Sequence, residues 1–244
     1  GENGEILSGW RLRNSNKPAR IPEEHSETAF MTNRAMEFIE ESKDKPWFLH
    51  LSYIKPHWPY MAPAPYHNMY SANEFYPVHR NDAERNNDHP VYKAFMENSI
   101  SKTFSKDEVR NTVLAGYMGL IKQIDDNLGR LFKFLESSGH MDDTMIIFTS
   151  DHGDYQGDHW LGEKELFHEQ SVRVPMIIYD PSDYANKTRG TKEERFIEAI
   201  DLLPTFLDAV ESPASKHRLE GNSLMPLLKE ESTKNWKEFV FSEI

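Results

Sequence analysis

Thr144-Met-Ile-Ile-Phe-Thr-Ser-Asp151-His152-Gly153-Asp154, running on through Gly157-Asp158-His159 to Lys164, is the stretch on which the reading of the fold turns. A short apolar run that stops at Asp-His-Gly predicts a buried strand whose C-terminal end delivers a carboxylate and an imidazole into a crevice, where open α/β sheets place their sites. Neighbouring side chains on a strand face opposite ways, so Asp151 and His152 reach one ion only if a turn begins there. Gly153 eases that turn. A carboxylate with an imidazole suits Mn²⁺ or Zn²⁺ better than an ion held by oxygen alone, with Ca²⁺ or Mg²⁺ left open. Two ligands are half a site, and Asp-His-Gly in isolation also reads as an ordinary turn in which Asp caps backbone amides.

Upstream, Trp47-Phe-Leu-His-Leu-Ser-Tyr53 is a run of strand formers short enough for a buried parallel strand. Pro56, Pro59, Pro63 and Pro65 follow, so residues 54–66 form a rigid loop at that strand's C-terminal end. His57 lies in it. If both strands share a sheet, His57 emerges at the same edge as Asp151 and His152, where an imidazole can give a proton to a leaving oxygen. Taken alone, a histidine between Pro56 and Trp58 is better read as packing. Lys164 follows a run containing Gly153, Gly157 and Gly162 that lets an ammonium approach an anion, although a lone loop lysine is ordinarily solvated. His159, His168, Asp154 and Asp158 are weaker candidates.

Around these segments the sequence alternates strands with helices. Ser26 caps a helix that stops before Ser42-Lys-Asp-Lys-Pro46. Ser105-Lys-Asp-Glu108 opens the longest helix, which ends at Gly139 and whose Gly116, Gly119 and Gly129 predict close packing. Its Asp125-Asp126 pair reads as solvated or salt-bridged rather than catalytic. Val174-Pro-Met-Ile-Ile-Tyr179 is a further strand, Asp201 caps a helix to about Val210, and a short helix follows Gly221. The pattern is α/β with a largely parallel sheet. Residues 1–25 form a polar lead-in, and residues 67–104 are polar enough for a surface insertion, either a lid or a solvated excursion.

Composition narrows the function. A net charge of −12 with interspersed signs disfavours nonspecific nucleic-acid binding, so an anionic substrate needs a metal or a local Lys/His cluster. No apolar run is long enough for a bilayer, and the opening Gly-Glu-Asn-Gly-Glu lacks a signal-peptide pattern. No membrane partner is expected and a cytoplasmic location is favoured over export. The absence of cysteine rules out disulfides and thiolate metal ligands within these residues and leaves no obvious nucleophile.

In order along the chain, the Trp47–Ser52 strand with its Lys-Pro-His57-Trp-Pro loop, the Gly116–Arg130 helix, the Thr144–Gly153 strand, Lys164, Val172-Arg-Val-Pro175, Asp201-Leu-Leu-Pro-Thr205 and Gly221-Asn-Ser-Leu224 resemble the sulfatase branch of the alkaline phosphatase superfamily. Asp-His at the metal turn and the Pro-Ala-Pro-Tyr66 loop are similar to phosphonate monoester hydrolases and related phosphodiesterases. The resemblance implies a three-layer α/β sandwich with a largely parallel central sheet, incomplete at its N-terminus, with residues 26–244 as the C-terminal portion of one domain. It implies that Asp151 and His152 bind the metal, His57 donates a proton to the leaving group, and Lys164 holds the transferred phosphoryl or sulfuryl group of a small anionic ester. It further implies a formylglycine nucleophile made from a Cys-x-Pro-x-Arg motif upstream, absent here, so that this chain alone is inert. A noncatalytic protein that keeps the fold is the competing reading. A missing N-terminal strand would leave a sheet edge open, which makes a homo-oligomer a candidate assembly.

Overall fold

The computed structural model describes residues 14–71, 74–86, 89–213 and 218–243; the first half of the polar lead-in lies outside them. Packing divides the chain into two compact units, Gly1–Ser138 with Gly153–Val172, and Gly139–His152 with Arg173–Ile244. The polypeptide crosses from the second unit back to the first between His152 and Gly153.

The first unit is organised on two helices, α1 (Glu27–Ser42) and the long α4 (Asp107–Ser138), with α2 (Pro90–Glu97), α3 (Ser99–Phe104) and, late in the chain, α5 (Glu169–Val172). Ser26 caps α1 as expected, its Oγ accepting from the Ala29 amide at 3.2 Å, and the same oxygen accepts from Gln123 of α4 at 2.7 Å. Thus a cap and an interhelical contact share one atom. The apolar rows of α4 meet the proline-rich loop in a core of Tyr60, Ala62, Tyr66, Phe104, Val109, Val113 and Leu120. The helical glycines sort by what they face. A Cβ on Gly116 would stand 2.6 Å from the Tyr60 carbonyl and one on Gly119 2.3 Å from that of Tyr66, whereas Gly129 faces open space. Close packing therefore explains two of the three, and α4 ends at Gly139 in the left-handed conformation. Phe104, within the expected insertion, is fully buried.

The second unit holds β1 (Ile146–Thr149), β2 (Met176–Tyr179), α6 (Leu202–Ala209) and α7 (Met225–Leu228). Both predicted strands form, but they pair antiparallel, Ile146 opposite Tyr179 and Thr149 opposite Met176, and this two-stranded ladder is the whole sheet among the described residues. The α/β class fits, and the expected largely parallel sandwich is not confirmed among the described residues. Apolar runs identify a strand without specifying its neighbour or direction, which only a partner backbone supplies.

Trp47–Tyr53 shows the same limit. Burial alternates residue by residue, with Trp47, Leu49, Leu51 and Tyr53 turned inward and Phe48 66% exposed. Trp47 packs edge-on against Phe38, and the Tyr53 hydroxyl meets Thr32 Oγ1 at 2.7 Å. The period is that of a strand, yet no ladder among the described residues includes it. Asp201 departs from its expected role too: its side chain does not cap α6 but is wholly buried, accepting from the amides of Glu198 and Asn222 and from Lys237, each at 2.8 Å. No described helix is long and apolar enough to cross a membrane.

Candidate active site

His57 is held by its own loop. Lys55 folds back so that Nζ donates to the carbonyls of His57 at 3.3 Å and Pro59 at 3.1 Å; burial lowers the pKa of this ammonium, and Glu27 opposes the shift. The Trp58 carbonyl can only accept, so the His57 Nδ1 that meets it at 2.9 Å carries the proton. Nε2 lies 3.1 Å from Lys164 Nζ, and an ammonium can only donate, so Nε2 offers its lone pair. Residues 107 positions apart thus meet on one unit.

Lys164 is placed by the loop before it and the helix after it. The Tyr155 amide donates to the Glu163 carbonyl at 2.7 Å and the Gly157 amide to that of Leu161 at 2.9 Å, closing residues 155–163 into a compact loop. The Lys164 amide donates to the Glu165 carboxylate at 3.0 Å, and the buried Ser171 hydroxyl donates to the Lys164 carbonyl. The Ser171 carbonyl in turn accepts from the Gly153 amide at 2.7 Å, which ties the residue after Asp-His to the lysine loop. Gly153 is not at positive φ; a Cβ there would stand 2.0 Å from the Gln170 carbonyl, so close approach rather than an easy turn demands glycine.

Electrostatics around the lysine are acidic. Burial raises the pKa of Glu163, and its hydrogen bond with Glu165 and the charges of Glu165 and Asp154 raise it further, while Lys164 pulls it back. The Glu163-Lys164-Glu165 triplet reads in sequence as plain surface charge, so nothing local marks either glutamate, and Lys55 is equally silent.

The metal candidates lie on the other unit. The His152 amide donates to Asp151 Oδ1 at 3.0 Å, the Ser150 hydroxyl donates to the His152 carbonyl at 2.8 Å, and His152 Nε2 stands 3.4 Å from Asp151 Oδ2. The turn therefore brings both side chains to one side, with Asp151 84% exposed. An oxygen and a nitrogen donor side by side fit a divalent cation, but as two ligands only. No group of three or more His, Cys, Asp or Glu among the described residues is arranged to hold a metal.

The weaker candidates have other partners. Asp154 accepts from Tyr60 at 2.7 Å, and Asp158 accepts from the His79 amide at 3.0 Å and from Gln170 at 3.2 Å. His159 and His168 stack at 4.1 Å, the first bound to Glu84 at 2.7 Å and the second to Tyr155 at 2.8 Å. Asp125 and Asp126 share Lys122, as the sequence suggested.

A profile for the family described as Sulfatase matches residues 6–212. The chain belongs to the sulfatase family. Relatives include the multifunctional alkaline phosphatase superfamily protein PehA of Trinickia caryophylli, 39% identical over 94% of this chain and 48% of its own length. An arylsulfatase of Clostridium perfringens is 31% identical over 88% of this chain and 44% of its own. Among solved structures, the phosphonate monoester hydrolase of Silicibacter pomeroyi superposes with a TM-score of 0.84 at 32% identity, covering 92% of this chain and 45% of that one. This sulfatase-family chain therefore spans about half the length of the relatives it matches, and its likeness to them supports the α/β class.

Proposed function

We propose that the protein containing this chain is a metal-dependent hydrolase of phosphonate monoesters, phosphodiesters or sulfate esters, and that the chain by itself does not turn over. The observation that carries the reading is the 3.1 Å contact between His57 Nε2 and Lys164 Nζ, which joins a proton-transfer group to a cation that binds the transferred group. The named activities of the similar proteins set the ester class.

In this reading Lys164 leaves His57 for a nonbridging oxygen of the bound ester, lowering the cost of charge on the transferred group. His57 Nε2, released by Lys164, takes up a proton from solvent and gives it to the leaving oxygen, returning to the neutral ring, while Nδ1 keeps its proton and its hydrogen bond to the Trp58 carbonyl. Asp151 and His152 hold part of the shell of a divalent cation, Mn²⁺, Zn²⁺ or Ca²⁺, which supplies charge neutralisation when bound. On this reading the remaining ligands and a formylglycine nucleophile come from residues outside this chain, which spans about half the length of its relatives.

The test compares the full-length protein, its His57→Ala and Lys164→Ala variants, and this chain alone on an aryl phosphonate monoester and an aryl sulfate. Turnover is expected for the full-length protein only, falling roughly 10²- to 10⁴-fold in each variant. Turnover by the isolated chain, free of contaminants, would contradict the claim of inactivity. A full-length protein that binds the esters without hydrolysing them would favour the noncatalytic reading.

A further inference from the structure

Four residues of the loop before Lys164 that are not glycine occupy the left-handed region: Gln156 (φ 46°), His159 (φ 53°), Trp160 (φ 62°) and Glu163 (φ 63°). Such a conformation strains a residue that carries a Cβ and persists only where its surroundings dictate it. Residues 79–85, the middle of the segment expected to be a surface insertion, lie against this loop.

The contacts are numerous and directed. The His79 carbonyl accepts from the His159 amide at 2.8 Å, and the His79 amide donates to Asp158 Oδ1 at 3.0 Å. Trp160 is gripped from the same segment: its Nε1 donates to the Asn81 carbonyl at 3.0 Å, and the guanidinium groups of Arg80 and Arg85 stand 4.7 and 4.6 Å from its ring centroid. Arg80 joins this grip to the body of the unit. Its Nε donates to the Gly157 carbonyl at 2.7 Å, Nη2 to the Phe104 carbonyl at 2.7 Å, and Nη1 to Asp107 at 2.6 Å. One side chain, only 7% exposed, thus connects the lysine loop to the end of α3 and the first turn of α4. A planar five-donor guanidinium meets these separate acceptors as no other side chain can.

We infer that residues 79–85 are a clamp that positions Lys164, with Arg80 as its positioning residue, so that this segment sets the site's affinity for the anionic group without touching it. The inference rests on the proposed role of Lys164 in anion binding. Loosening the clamp relaxes the strained loop and lets Lys164 drift from His57.

The test is a double-mutant cycle in the full-length protein, with the dissociation constants of inorganic phosphate and inorganic sulfate measured by calorimetry for Arg80→Met, Lys164→Ala and the pair. Lys164→Ala weakens anion binding, Arg80→Met weakens it roughly tenfold, and the double variant is no weaker than Lys164→Ala alone, since neighbours acting through one group are not additive. Trp160→Leu, which leaves the buried contacts of Arg80 in place, gives a second cycle if Arg80→Met does not fold, with the same non-additivity expected. Fully additive losses, or anion affinity unchanged by Arg80→Met and Trp160→Leu, overturn the clamp while leaving the role of Lys164 intact. Anion affinity unchanged by Lys164→Ala removes the underlying reading instead, and the clamp with it.

Discussion

Gly153 shows how little space separates the backbone at the start of the lysine loop from the helix that follows that loop. Its amide binds the Ser171 carbonyl at 2.7 Å, and a Cβ would meet the Gln170 carbonyl at 2.0 Å, far inside van der Waals contact and against backbone rather than a yielding side chain. Gly153→Ala must therefore push the two segments apart, with an expected cost of about 1–3 kcal/mol, the usual range for overpacking. A lowered urea midpoint at unchanged m-value checks this, and an unchanged midpoint would contradict it. His57 is the complementary case. It is visible in the Pro-His-Trp-Pro run, but flanking prolines suggest packing, and only the contact with Lys164 across 107 residues supports its proposed role.

The elements differ in how local their causes are. The long helix α4 was legible almost to the residue, because its apolar rows, acidic first turn and terminal Gly139 all act within a few residues of one another. The β1–β2 ladder was legible as two strands and not as an antiparallel pair, because strand direction is a relation between distant segments. Asp201 illustrates the same division: the helix behind it was foreseen, whereas its ion pair with Lys237 spans 36 residues. Burial lowers the Lys237 pKa, but the hydrogen bonds it donates to Asp201 and Glu198 outweigh this and leave it raised, while Lys237 in turn lowers the pKa of Glu198. Lys237→Met strands a fully buried carboxylate, so a loss of roughly 3–5 kcal/mol is expected, the range for breaking a buried pair from one side. Chemical denaturation of Lys237→Met beside the exposed-pair variant Lys187→Met measures it, since the latter removes only a surface contact to Glu230.

For the whole molecule, the perturbed groups bound a pH window. His168 has its pKa lowered from the ordinary 6.5 by burial first and by His159 second, so the folded state prefers it neutral. Its contribution to stability is complete above 6.5 and is lost as pH falls through that value towards the lower folded pKa. Tyr66 and Tyr117 are shifted the other way, each from 10.0 up to about 12, chiefly by burial, with Asp126 adding to the first and Asp154 to the second. Their contribution is complete below 10 and is lost as pH rises towards about 12. Stability is therefore expected to plateau between about 6.5 and 10. Thermal melts across pH test the plateau, and phenolate absorbance tests its alkaline edge, where a fraction of the ten tyrosines should titrate only on unfolding. By itself the sequence determined the family, the α/β class and the long helix, and it singled out Asp151, His152, His57 and Lys164 as candidates, since each is carried by residue type and short-range spacing. Tertiary structure alone decided that His57 meets Lys164, that β1 and β2 run antiparallel, that Asp201 is an ion-pair centre and that residues 79–85 grip the lysine loop. Those are contacts between groups far apart in the chain, and sequence periodicity carries no record of which distant backbone or charge will be the neighbour.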